Sequence, residues 1–314
     1  MIRYILARVI QAIPVLLIAS VAVFFVLRLV PGDPASALAG ENASQERVDE
    51  IRKDLGLEGP VAVQYVHWLR QVATGDLGTS VLNGLAVRRL IGLAARPTIE
   101  LALVAYPLAL AIGIPLGAAA GARPRSRWDL VATAYTTLAI GVPGFLTAIV
   151  MLWVFAIELD WLPASGYVSL LDDPGQAALH LAMPAATLAA GLSAVLARYT
   201  RTAVSQALTQ DYIRTARAKG LPERAVVMRH ALRAALVPVV TVAALQVGQL
   251  LSGAVVVEQV FTRPGMGRLM VGAITGRDYP VVQGGLLVLV ATFVLVNLAA
   301  DILAGIADPR AVQR

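Results

Sequence analysis

Long uninterrupted apolar runs constrain this chain more than any other feature of its sequence. The first run, from Val9 to Leu27, contains nineteen residues without a charge. A helix that crosses a bilayer needs about 20 mostly apolar residues. Apolar residues make up 58% of the 314 residues and charged residues 15%, whereas a soluble domain carries about a quarter charged residues. The sequence therefore predicts an all-α, polytopic membrane protein.

The apolar runs predict six transmembrane helices, near 9–30, 99–121, 130–157, 179–197, 233–257 and 281–306. The first run could also be a signal peptide, because small residues at 35–37 resemble a cleavage site. Its length and the charged, proline-containing segment that follows it favour a retained span. The chain then divides into an N-terminal span (1–30), an extracytoplasmic segment (31–98) and a core of five spans (99–314).

Loop charges predict the orientation of the spans. The loop 198–232 carries seven basic residues against two acidic ones, the loop 121–129 carries three arginines, and the loop 158–178 has four acidic residues and no basic one. Since positive loops stay in the cytoplasm, both termini and the two basic loops are expected there. The loop 258–280 has three arginines against two acidic residues, but the alternation of six spans places it on the extracytoplasmic side. The net charge of +6 thus reflects topology, and no nucleic-acid partner is needed to explain it.

The extracytoplasmic segment is predicted to contain two short helices. Val48, Ile51 and Leu55 share one helical face after Ser44, a residue that can cap a helix, and Gly56 is a plausible stop. A second helix extends from Val61 to Leu69, and glycines at 75 and 78 break the pattern after it. The segment is too small for an independent catalytic domain, so we expect it to pack on the spans.

The sequence offers little enzymatic chemistry. It contains no cysteine, its three histidines fall in three different regions, and it has no Gly-x-x-x-x-Gly-Lys-Ser/Thr phosphate loop. Arg28, Glu100 and Asp301 lie near predicted span ends, where we expect long side chains to snorkel or to be solvated at the interface. A proton-driven carrier would want a central carboxylate, and none stands out.

Two spans carry patterned small or polar residues. Gly113, Gly117 and Gly121 recur every four residues in the second span, which predicts a helix-packing face. Gln246, Gln249 and Ser252 follow one face of the fifth span. Unpaired amides facing lipid are costly, so this face should line a wet translocation path or join neighbouring helices. Spacing does not decide between these interpretations.

The segment 211–224 predicts a helix, a glycine elbow and a second short helix. Asp211 suits a helix start, Gly220 can adopt the left-handed conformation that ends a helix, and Glu223 suits the positive end of the next helix. Ala216, Ala218 and Gly220 would let a partner approach the backbone closely. An amphipathic linker held to anionic lipid by its arginines is the alternative, and spacing leaves both open.

The segment from Asp211 to Leu221, with 230–233 and 237–241 after it, resembles the signature loop of ABC-importer permeases, in the version of peptide and nickel importers. The stretches 3–35, 253–269, 277–284 and 308–310 resemble the B-type permease of the same family. The Glu-Ala-Ala opening of the broader superfamily falls on Arg214, Thr215 and Ala216, and its late proline falls on Arg233. Peptide-type permeases resemble this sequence at these positions, so the departures favour that subfamily. Because residue 214 is an arginine, the role of the superfamily glutamate cannot be assigned to it.

The resemblance implies a type I ABC-importer transmembrane subunit in a bacterial or archaeal cytoplasmic (inner) membrane. Such a subunit is surrounded by membrane lipid and forms a heterodimer with a second homologous permease. It works with two ABC ATPase subunits and an extracytoplasmic substrate-binding protein. It is not an enzyme and binds no cofactor of its own, because ATP and Mg are used by the ATPase subunits.

The resemblance also implies which residues contact the ATPase. They are Asp211, Arg214, Thr215, Ala216, Ala218, Lys219, Gly220, Leu221 and Glu223. The family's cargo is a peptide, with dipeptides or oligopeptides favoured, or else nickel or another small solute. A secondary carrier is the alternative class, but it would show inverted repeats and a central ionisable site.

Overall fold

The computed structural model of the chain describes residues 2–26, 44–54 and 59–307, and this part is almost entirely helical. The helices, in chain order, are α1 (Ile2–Val26), α2 (Gln45–Asp54), α3 (Val61–Ala73), α4 (Val87–Ala122), α5 (Arg127–Gly141), α6 (Gly144–Leu152), α7 (Pro174–Ala207), α8 (Asp211–Ala218), α9 (Glu223–Ala225), α10 (Leu232–Val260), α11 (Met266–Thr275) and α12 (Tyr279–Ala307). Two π-helical stretches, Trp153–Glu158 and Val226–Ala231, extend α6 and join α9 to α10.

Within the described residues, five helices are long and apolar enough to cross a membrane, and the bent pair α5 and α6 brings the number to six if it is counted as one span. Each of the six predicted apolar runs therefore falls on one of these helices or on the bent pair. The chain forms two compact units: a core unit built on Pro97–Pro264, and a flanking unit of Leu6–Arg96 with Gly265–Leu295. The division of the sequence into 1–30, 31–98 and 99–314 stays a prediction.

The third span is not the continuous helix predicted at 130–157. It breaks between Gly141 and Gly144, and the axes of α5 and α6 differ by 101°. Val142, which precedes Pro143, adopts an extended conformation with φ −89° and ψ 124°, because the ring of a following proline disfavours the helical region. Pro143 is the N-cap residue of α6, a position where its missing N–H costs no helical hydrogen bond.

Three other helices extend beyond the apolar runs that predicted them. Helix α4 begins at Val87 rather than 99, α7 continues to Ala207 rather than 197, and one continuous helical stretch covers Glu223–Val260. An apolar run marks only the part of a helix that lies in lipid. The flanking residues, such as Arg198 and Gln206, are good helix formers in water. Hydropathy alone therefore predicted the ends of these helices wrongly.

Helix α7 is the centre of the core unit. It packs against α5, α6 and α10, and its buried residues join those of α4, α6 and α10 in one apolar cluster that includes Leu101, Leu181, Leu196 and Leu250. The hydroxyl of Tyr106 donates to the carbonyl oxygen of Ala243 at 2.7 Å. Nearly every helix of this unit is thus positioned against α7.

The glycine face predicted on the second span is confirmed. A Cβ built on Gly113 would lie 2.7 Å from the carbonyl oxygen of Ser193, and one on Gly121 would lie 2.5 Å from that of Arg201. A Cβ on Gly117 would overlap the carbonyl oxygen of Ala197. Because these glycines have no side chain, the backbones of α4 and α7 approach closely along two turns.

In the flanking unit, the two predicted short helices are present as α2 and α3. The N–H of Val48 donates to the carbonyl of Ser44 at 3.2 Å, whereas the predicted stop at 55–56 lies outside the described residues. Helix α3 packs its aromatic rings on α1: the ring of Phe24 lies 5.2 Å from that of Tyr65 and 5.5 Å from that of Trp68. The segment after the first span therefore packs on that span, as predicted.

Glu100 is not the solvated end-of-span residue that the sequence predicted. It is 7% exposed, accepts a hydrogen bond from the hydroxyl of Ser169 at 2.8 Å and lies 3.7 Å from the guanidinium of Arg263. The fully buried Arg263 also lies over the ring of Tyr167, 4.8 Å from its centroid. Two loops distant in sequence supply Ser169 and Arg263 and enclose the carboxylate within α4. Arg28 and the side chain of Asp301 lie outside the described residues.

The glycine face gives a stability prediction. Gly117→Ala places a methyl group against the α7 backbone, and such overpacking costs about 1–3 kcal/mol. We expect a lower midpoint of thermal unfolding in detergent. Gly92→Ala is the matched control in the same helix, because no atom lies within 4 Å of its Cβ position, and it should leave the midpoint unchanged or raise it. Equal midpoints for the two variants would contradict the packing role.

Candidate functional site

The segment between α7 and α10 begins with an amphipathic helix. Helix α8 follows Gln210, its N-cap residue, and buries Ile213 and Ala216 at 0% and 6% exposure. These side chains pack with Ala207 at the end of α7 and with Val226 and Ala231 at the start of the next helix. Helix α8 is therefore held on the core unit by its own apolar face.

The opposite face of α8 and the turn after it are open. Eight of the nine residues predicted to contact an ATPase are exposed, and we call them the elbow surface: Asp211, Arg214, Thr215, Ala218, Lys219, Gly220, Leu221 and Glu223. Ala216 is the exception, since its methyl group lies in the apolar cluster beneath α8. Its small size suits close packing within the chain itself.

Gly220 ends α8 in the left-handed conformation that the sequence predicted, with φ +79°. Its N–H donates to the carbonyl of Arg217 at 2.9 Å, and the N–H of Leu221 donates to that of Ala216 at 3.4 Å. This pair of bonds is the Schellman arrangement. No atom lies within 4 Å of a Cβ built on Gly220, so glycine is required here by the backbone conformation and not by crowding.

An ion pair fixes the angle across the elbow. The guanidinium of Arg217 donates to both carboxylate oxygens of Glu223, at 2.7 and 3.1 Å, and this bond raises the pKa of Arg217. Both side chains are largely exposed, and such surface pairs contribute little to stability. The role of the pair is geometric: it joins the end of α8 to the start of the next helix. The sequence predicted Glu223 as a helix-start residue and as an ATPase contact, but not as the partner of Arg217.

The second short helix of the prediction is not a separate element. Residues from Glu223 through the π-helical stretch Val226–Ala231 continue directly into α10, and Glu223–Val260 is one apolar helical stretch. No glycine or proline occurs from 223 to 237, so nothing ends the helix before the fifth span. A displacement of the elbow surface therefore acts directly on that span.

The segment 211–224, which contains the elbow surface, carries four basic residues against two acidic ones. Arg214 pairs with Asp211 at 3.2 Å, whereas Lys219 and Arg224 are exposed and have no carboxylate partner within the described parts of the chain. With few side-chain atoms at Ala218 and Gly220, the segment combines close access to the backbone with two exposed, unpaired cations.

The polar residues of the fifth span do not share one environment. Gln246 is 5% exposed, and its amide donates to the carbonyl oxygen of Leu192 on α7 at 2.8 Å. Gln249 and Ser252 are exposed. Gln246 thus joins two helices, which is the second of the two interpretations left open by the sequence. Gln249 and Ser252 keep an open face on α10.

Two family models match the chain. Residues 113–313 match the binding-protein-dependent transport system inner membrane component, and residues 1–84 match the N-terminal part of the membrane component of such systems. The two matches together cover both units.

Relatives match over almost the full length. A candidate peptide transport system permease of Brucella suis biovar 1 is 44% identical over 306 residues, with 98% of each chain covered. A glutathione transport system permease protein of Salmonella choleraesuis is 40% identical over 310 residues, again with 98% of each chain covered.

Solved structures show the same fold. A chain of the MetNI methionine ABC transporter is 20% identical, covers 72% of this chain and 97% of its own length, and has a TM-score of 0.58. A chain of an amino acid ABC transporter has a TM-score of 0.53 at 15% identity, with 77% and 98% covered. The chain therefore has the transmembrane fold of type I ABC importers.

The two glutamines of α10 provide a matched pair of variants. Gln246→Leu removes a buried interhelical hydrogen bond, and such bonds in membranes contribute about 0.6 kcal/mol on average and up to about 1.7 kcal/mol. We expect Gln246→Leu to lower the unfolding midpoint and Gln249→Leu to leave it unchanged, both measured in detergent. If Gln249→Leu destabilises as much as Gln246→Leu, both residues are buried between helices and the open face does not exist.

Proposed function

This chain belongs to the family of binding-protein-dependent transport system inner membrane components, and we propose that it forms half of the translocation path of an ATP-driven peptide importer. The family's role is transport and not catalysis. The other half of the path would come from a second, homologous permease, and two ABC ATPase subunits would use ATP and Mg on the cytoplasmic side. An extracytoplasmic binding protein would deliver the cargo. The membrane fold and the full-length relatives support this assembly.

Peptides are the proposed cargo. The two relatives described above bear the names of permeases for peptides and for glutathione, which is itself a peptide. Both relatives are at least 40% identical to this chain over both of its units. The comparison therefore includes all the spans that could line the path. Among peptides, we propose dipeptides or oligopeptides as the cargo.

The elbow surface is the proposed site of ATPase coupling, and the observation that carries the proposal is its continuity with the fifth span. The exposed, glycine-ended α8 connects through Glu223 to the unbroken helical stretch that ends at Val260. Docked in a groove of an ATPase, the elbow surface would move when ATP closes the ATPase pair. The stretch 223–260 would then carry the displacement to Gln249 and Ser252, on the open face of α10.

The orientation follows from the same assembly. The arginine-rich loop 121–129 and the elbow segment would lie in the cytoplasm, together with both termini, because positive loops are retained there. The acidic loop 158–178 would face the binding protein on the other side. The membrane is the inner membrane, as the family description states.

Gly220 gives the test of coupling. A β-branched residue opposes the left-handed backbone at a cost of about 1–2 kcal/mol, which is comparable with a typical coupling free energy of about 1–3 kcal/mol. We expect Gly220→Val to reach the membrane at a normal level but to lose ATP-driven peptide uptake in proteoliposomes. Stimulation of ATP hydrolysis by the binding protein should be lost with it.

Two control variants distinguish an effect of the backbone conformation at Gly220 from an effect of side-chain bulk. Gly220→Asn should keep most of the uptake, because asparagine tolerates the left-handed conformation. Gly272→Val adds the same side chain in α11, where the Cβ position is open, and should leave coupling intact. Normal uptake and stimulation in Gly220→Val would show that the elbow is only a linker.

A further inference from the structure

A cavity of about 410 Å³ opens beside the contact between α5 and α7. Thr133, Thr136 and Thr137 line it from α5, and Arg198 and Arg201 line it from α7. Ile140 lines it further along α5. All of these residues belong to the core unit. No step of the coupling mechanism uses this cavity.

The cavity has a cationic end and an apolar end. Arg201 lies 2.6 Å from Asp129 at the beginning of α5, and Tyr135 and Ser193 share a hydrogen bond of 2.6 Å further along the two helices. The helices therefore run antiparallel, with the arginines level with the first turns of α5. Ile140 lies about 10 Å further along the helix than Thr133. The cationic end adjoins the arginine-rich loop 121–129.

One arginine at this end has no ion-pair partner among the described residues. The guanidinium of Arg201 is engaged by Asp129, but that of Arg198 has no hydrogen bond or ion pair to any residue that the structure describes. The neighbouring Arg123, Arg125 and Arg127 are exposed and add to the positive potential. An anion bound here would meet Arg198 directly and would be held near the membrane surface by the loop.

The surroundings favour a lipid over a solute. Trp128, next to the cationic end, is 57% exposed, and exposed tryptophans mark the level of the headgroups in membrane proteins. Leu130 is 71% exposed one turn before Thr133, on the flank of the cavity. Basic pockets between transmembrane helices on the cytoplasmic side bind anionic headgroups. This end of α5 and α7 is on the side proposed to be cytoplasmic.

We propose that this cavity binds the headgroup of an anionic phospholipid, with its phosphate at Arg198 and an acyl chain directed along Ile140. The hydroxyl of Thr133 is bonded to the carbonyl of Asp129 at 2.7 Å, so it closes the wall of the cavity without exposing an unpaired donor to the acyl chain. The lipid would fill the space between α5 and α7 that these residues line. This site goes beyond peptide transport and does not depend on the identity of the cargo.

Native mass spectrometry of the assembled transporter tests the site. The purified complex is equilibrated in detergent with equal amounts of phosphatidylglycerol and phosphatidylcholine. The wild type should retain phosphatidylglycerol in preference. Since one basic residue near the surface changes the affinity for anionic lipid about fivefold, Arg198→Gln should lower its occupancy by about that factor. Arg198→Lys should keep most of it.

Arg127→Gln is the control, because Arg127 is an exposed cation at the start of α5 that does not line the cavity. Because Arg127 only adds to the positive potential around the cavity, its loss should lower the occupancy less than the loss of Arg198 does. Equal retention of the two lipids, or equal losses in Arg198→Gln and Arg127→Gln, would overturn the proposal. So would displacement of phosphatidylglycerol by excess dialanine or by glycerol 3-phosphate, since the first would show a site for a soluble peptide and the second a site for a soluble anion.

Discussion

The close contact between α4 and α7 is the interaction on which the core unit depends. Lipid tails are as apolar as leucine side chains, so helices in a membrane associate through tight packing and hydrogen bonds and not through the hydrophobic effect. Gly113, Gly117 and Gly121 bring the two backbones together where any side chain would collide with a carbonyl of α7. Helix α7, fixed in this way, supports α5, α6 and α10.

The position of α7 also determines the position of the elbow. The end of α7 supplies Ala207 to the apolar cluster under α8, and Leu192, in its middle, accepts the hydrogen bond from Gln246 of α10. The elbow surface is therefore held between two helices that already contact each other. In the proposed coupling, a force on this surface would be resisted by α7 on one side and transmitted into α10 on the other.

Features set by local sequence could be predicted, and features set by distant contacts could not. The left-handed turn at Gly220 could be predicted from the sequence, because the backbone preference of glycine does not depend on contacts with distant residues. Pro143 breaks a helix, whereas Pro107, Pro184 and Pro238 lie inside helices, so the sequence did not show which proline would interrupt a span. The burial of Glu100 depends on Ser169 and Arg263, from two later loops, and its hydropathy alone suggested solvation.

The candidate site shows the same division. The prediction that a partner could approach the backbone at Ala218 and Gly220 agrees with their exposure. The burial of Ala216 could not be predicted, because it requires α8 to lie on the start of the next helix. Gln246 and Gln249 share a face by spacing. Only the neighbouring α7 distinguishes them, since it covers Gln246 and leaves Gln249 open.

Site-directed cross-linking in the assembled transporter tests the central claim most directly. The chain contains no cysteine, so Ala218→Cys introduces a single thiol on the elbow surface. A short bifunctional reagent should join it to an ATPase subunit, and the yield should change when a non-hydrolysable ATP analogue is added. Thr202→Cys, exposed on α7 outside the elbow surface, should give less product. No cross-link from Ala218→Cys, or an ATPase cross-link from Leu171→Cys in the acidic loop instead, would contradict the account.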